Sequence, residues 1–120
     1  MTFDVEIVLK GRDFAVTEAA SIPFGDPLSW GDDAARAMLV AILRAIDRVQ
    51  NPEAAADRGV VLQGFSWIVE PAGAASFVAI EIPTGAAVAG PFSIGHAELD
   101  AMIARVVRAE RQTVAPRTVH

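Results

Sequence analysis

The stretch Ala37-Met38-Leu39-Val40-Ala41-Ile42-Leu43 lies inside a longer run from Leu28 to Gln50, and its reading decides how the rest of the chain must be arranged. The run predicts a helix of about six turns, and its middle is apolar on every side. A helix that leaves only a narrow strip to water must be covered by other elements or by another copy of the chain. Ser29 is the expected cap, with Asp32 and Asp33 in the first turn, where carboxylates meet the positive end of the backbone dipole. Ala34, Met38, Ala41, Ile42, Ala45, Ile46 and Val49 form the expected buried stripe, with Asp33, Arg36, Arg44, Asp47 and Arg48 on the wet side. Asn51-Pro52 ends the helix, because the residue before proline is pushed out of the α region. Residues 53–59 are expected to add one more helical turn.

On the N-terminal side, Phe3, Val5, Ile7 and Leu9 alternate with Thr2, Asp4, Glu6, Val8 and Lys10, the period of a half-buried strand. A two-residue Gly11-Arg12 loop would pair Lys10 with Asp13, Leu9 with Phe14 and Ile7 with Val16. Pro23 to Pro27 is a stiff linker that cannot join a ladder. Beyond the helix, Val60 to Val69 and Ser76 to Ile82 read as a second hairpin around Pro71-Ala72-Gly73-Ala74. In that register Val69, Trp67 and Phe65 face Ser76, Val78 and Ile80, which leaves Ile68, Ser66, Phe77, Ala79 and Glu81 on a mixed opposite face.

Pro83 to Gly95 carries no charge and is rich in Gly, Ala and Pro, so it reads as a long loop of the kind that often binds. A second helix follows, with Leu99, Met102, Ile103, Val106 and Val107 on its apolar side and Asp100, Arg105, Arg108 and Arg111 on its wet side. The element order β-β-α-β-β-α predicts an α+β fold: a four-stranded, mainly antiparallel sheet with both helices on one face. One domain is expected over 1–111, with a flexible tail over 112–120.

The chain has 120 residues, 52% of them hydrophobic and 21% charged, with mean hydropathy +0.37. That is apolar for a small domain, and the surplus favours a buried contact with a partner. The formal net charge of −5 disfavours nucleic acid and anionic membrane surfaces. The absence of cysteine excludes disulfides, thiolate chemistry and sulfur metal sites, and points to the cytoplasm. No secretory leader or membrane span is expected.

His96, at a helix start directly after the glycine-rich segment, is a candidate base or anion donor, against the plainer reading of a polar first-turn residue. With Asp100 and Glu98 it falls short of a metal site. Gly85 to Gly90 has the outer spacing of a phosphate-binding loop, yet Pro91-Phe92 follow in place of the required Lys and Ser/Thr. Glu70 with Glu81, or Asp32 with Asp33, would do acid/base work only if burial separated their pKa values. From Gly59 to Ala104 there is no Lys or Arg, so that half presents a neutral or acidic surface.

These residues lead to a non-catalytic interaction or assembly protein acting as a homo-oligomer, with a second copy or another protein as partner. The contact candidates are Trp30, Trp67, Val88, Phe92 and Ile94. The alternative is a small-molecule or enzymatic pocket near the 83–95 segment, with Glu81 and His96 as its polar groups. No cofactor and no metal is implied.

Overall fold

A computed structural model of the chain describes residues 1–53 and 60–114, with side chains to 111. The strands are β1 (Thr2–Leu9), β2 (Val16–Ser21), β3 (Ser66–Ala72), β4 (Ala75–Ile82) and β5 (Gly85–Phe92), and the helices are α1 (Asp32–Gln50) and α2 (His96–Val114). The sheet is antiparallel throughout, in the order β2-β1-β5-β4-β3. Five strands thus replace the expected four, because the segment expected to be a loop over 83–95 supplies the middle one.

The reason that strand escapes a sequence reading is also the reason it works. Gly85, Ala87 and Ala89 lie opposite Leu9, Ile7 and Val5 of β1, and opposite Ile82, Ile80 and Val78 of β4. Small side chains between two rows of large ones make a trough under the helix layer, and Ala87 and Ala89 are buried there. Alanine and glycine carry no strand preference, so local propensity says nothing. At Gly85 the fit is closest: a Cβ added there would lie 2.6 Å from the Val8 carbonyl oxygen.

The alternation of β1 holds, with Phe3, Val5, Ile7 and Leu9 buried. Ile7 pairs with Val16 as expected, but the ladder ends there. The turn falls one residue early: the Arg12 N–H donates to the Leu9 carbonyl, and Gly11 takes φ +83°, the sign that the second central position of a type II turn requires. The Lys10 N–H donates to Thr84 instead of a β2 carbonyl, and Leu9 finds its cover without Phe14, which is 57% exposed.

In the second hairpin the turn is Gly73-Ala74, so Trp67 pairs with Ile80 and Val69 with Val78. The register is two residues from the expected one. A shift of two preserves the face, so Trp67 and Val69 still lie on the side of Val78 and Ile80. Pro71 did not need to break the strand, because β3 is an edge, where a missing donor is tolerated.

Helix α1 begins later than expected. Pro27–Ser29 forms a separate 3-10 turn capped by Asp26, whose carboxylate accepts from the Leu28 N–H, and Ser29 donates to the Asp26 carbonyl instead of capping α1. Ala34, Ala35, Met38, Leu39, Ile42, Ala45 and Ile46 are its buried residues; Ala35 and Leu39 broaden the expected stripe. Helix α1 packs on β1, β2 and β5, α2 packs on β3 and β4, and the helices touch each other. All five apolar residues expected on the inner side of α2 are buried. The helical turn expected within 53–59 falls mostly outside the described residues; α2 continues into the expected 112–120 tail as far as Val114, and the rest of that tail lies outside them.

Candidate functional site

The helices cover one face of the sheet, and the strands' alternate residues make the other. Residues directly opposite in an antiparallel pair share a face, so the register fixes its composition. One row runs Glu6, Val88, Ala79, Ile68; beside it run Val8, Ala86, Glu81, Ser66; on the other side lie Asp4, Gly90, Phe77 and Glu70. Val8, Val88 and Ile68 are 43%, 39% and 63% exposed. With Ala79, Ala86 and the half-buried Phe77 they form an apolar centre flanked by Asp4 and Glu6 on one side and Glu70 and Glu81 on the other. None of these strand positions holds a Lys or Arg.

The sequence-derived candidates separate into two groups. Val88 stands in the middle of the open face. Phe92 is fully buried, and its ring meets Phe3 at 5.0 Å and Trp30 at 5.5 Å between centroids. Trp30 is buried with it, its indole N–H donating to the Gly25 carbonyl at 3.0 Å, and Ile94 is buried as well. These three residues are core in this chain. Trp67 lies on the helix side of β3, near Phe65, and donates to the Asp100 carboxylate of α2 at 3.2 Å. Trp30 and Phe92 therefore pack ring to ring, while Trp67 belongs to a separate ring pair with Phe65.

His96 is exposed as the first residue of α2, and Glu81 is exposed on the open face. The two acid pairs are not assembled: Glu81 lies opposite Ala86 and Ser66, and Glu70 opposite Phe77. Asp33 accepts from the Ala34 N–H, and Asp32 is held by Arg105, with a shortest contact of 2.9 Å. That guanidinium hydrogen bond, aided by its charge, holds the Asp32 carboxyl below its ordinary range. Among the described residues no cluster of His, Asp and Glu is arranged to hold a metal ion, and no buried side-chain polar atom lacks a partner.

The residues that sequence reasoning passed over are Val8, Ile68, Ala86 and Phe77. One signal was present: Val8 is the single large aliphatic among the wet positions of β1. It gained meaning only when β5 placed Ala86 and Val88 beside it. No described helix is long and apolar enough to cross a membrane. No family model, curated protein or solved structure matches the chain.

Proposed function

We propose that this protein is a non-catalytic interaction subunit that buries its uncovered sheet face against a second copy of itself. The observation that carries the reading is the contiguous apolar centre of that face, Val8, Val88, Ala79, Ile68 and Phe77, on the side of the sheet opposite both helices. Apolar area of this kind on a small domain marks an association surface. A twofold contact meets the same patch on both subunits, so an apolar centre is complementary to itself. Asp4, Glu6, Glu70 and Glu81 then remain wet at the margin, where they set the register by repelling misaligned partners. The same carboxylates disfavour phosphate backbones.

The small-molecule alternative loses the Trp30–Phe92 site, where Phe92, Trp30 and Phe3 pack ring to ring, and keeps only an open hollow of about 710 Å³ beside Pro83, Gly85 and Ala86, bordered by Lys10, Arg12 and Glu81. The mass in solution tests the dimer. Sedimentation equilibrium is expected to give twice the chain mass for the unaltered protein and the chain mass for Val88→Asp and Ile68→Asp, with circular dichroism unchanged. A monomer at all concentrations, indifferent to either substitution, would overturn the proposal.

A further inference from the structure

The sheet ends at β2 on one side, and the chain's own hydrogen bonds fix which groups of that edge are free. The Met1 nitrogen donates to the Ile22 carbonyl and the Ile22 N–H to the Met1 carbonyl, at 2.9 Å each, so Met1 and Ile22 exchange both bonds. Antiparallel pairs alternate between bonded and non-bonded. Ala20, Glu18 and Val16, opposite Phe3, Val5 and Ile7, therefore spend their backbone groups on β1. Thr17, Ala19 and Ser21 aim theirs outward, where no described strand receives them.

Beside that edge α1 forms the wall of a trough of about 680 Å³, floored by Ala37, Val40 and Ala41 and bordered by Arg36, Arg44 and Arg48. The spacing 36, 40, 44, 48 is one ridge along the helix, about 18 Å long, which is the length of roughly five or six extended residues. Three guanidiniums stand here on a chain whose net charge is −5. Arg44 pairs with no described residue. Arg48 is held by Glu18 of β2 at 3.1 Å, a carboxylate already seated where an incoming one would bind. Arg36 reaches Glu110 at 3.4 Å, with half of its side chain still exposed.

We infer that this edge is a docking site for an extended acidic peptide segment of a partner protein, which adds to β2 as a further strand and presents carboxylates to Arg44, Arg48 and Arg36. Backbone pairing to Thr17, Ala19 and Ser21 supplies affinity, as strand addition does elsewhere, and the guanidiniums select acids over other extended chains. The opposite edge is a poorer template, since Pro71 removes a donor from β3. A second copy pairing β2 to β2 would bring its own Arg36, Arg44 and Arg48 against this set, so a self-pair is disfavoured. This surface is separate from the open face, and a monomeric protein that binds the peptide keeps this inference while losing the dimer.

The test uses the full chain and a fluorescein-labelled heptapeptide, with threonine at even positions and glutamate or valine at odd ones; a control carries lysine for glutamate. Anisotropy is expected to show saturable binding of the acidic peptide only. Arg44→Glu with Arg48→Glu is expected to weaken it by roughly tenfold or more. Ala19→Pro, which removes one outward N–H, is expected to abolish binding. Should Ala19→Pro fail to fold, amide exchange on the unaltered protein decides: peptide is expected to protect Thr17, Ala19 and Ser21. Equal binding of the lysine control, binding that survives both arginine reversals, or unchanged exchange at those three amides would each overturn the inference.

Discussion

The Ser76 hydroxyl donates to the Ile94 carbonyl at 2.7 Å in a fully buried position. This bond ties β4 to the strap that carries the chain from β5 into α2, and Ser76 is the only buried polar side chain among the described residues. Ser76→Ala leaves that carbonyl unsatisfied in the interior, at a cost of about 1–3 kcal/mol. Urea denaturation is expected to show a lower midpoint with an unchanged slope.

Two glycines outside the helices separate close approach from mere permissiveness. Gly85→Ala drives a methyl into the Val8 backbone, where the nearest atom is 2.6 Å away, and is expected to cost about 1–3 kcal/mol. Gly25→Ala has nothing within 4 Å and no left-handed backbone to strain. It is expected to be neutral or to stabilise by up to about 1 kcal/mol, through the unfolded chain. Paired thermal melts would reveal any reversal of that order.

Phe92 and Val88 lie four residues apart on one strand and should respond oppositely. Phe92→Ala empties the centre of the Phe3–Phe92–Trp30 ring cluster and is expected to cost about 3–5 kcal/mol. Val88→Ala, on the open face, is expected to change stability by less than about 1 kcal/mol, while weakening self-association.

The Asp32–Arg105 pair joins the first turn of α1 to α2 across an exposed surface. Because the folded-state carboxyl titrates below its ordinary range, its contribution is fully present above the unfolded carboxylate pKa. That contribution fades as pH falls through the folded value. In a double-mutant cycle with Asp32→Asn and Arg105→Gln, the coupling is expected at neutral pH. It is expected to vanish in strong acid and to shrink in 1 M salt.

Much of this architecture can be read from residue periodicity. Met38, Ile42, Ala45 and Ile46 on α1, Leu99, Ile103 and Val106 on α2, and Phe3 to Leu9 on β1 each repeat at the period of their element, because burial acts on side chains large enough to leave a mark. Residues 85–92 left none. Their alternation is of glycine and alanine against alanine and valine, chosen for what lies beside and above them, which a local reading cannot see. With β5 hidden, Phe92 and Ile94 read as exposed anchors instead of core. The open face likewise required three separate strands to be placed in register before Val8, Val88 and Ile68 could be recognised as neighbours.

Val5 lies next to Ala89, 84 positions further along the chain. A ribosome adding about 5–20 residues per second would complete that interval in roughly 4–17 s. Throughout that time the inner flank of β1 has no partner, and the trough beneath α1 has no floor. Such a distant closure is slow to nucleate, so assembly of this molecule is timed by its most featureless octet. A nascent chain halted before Phe92 emerges would offer two unjoined ribbons to any passing strand.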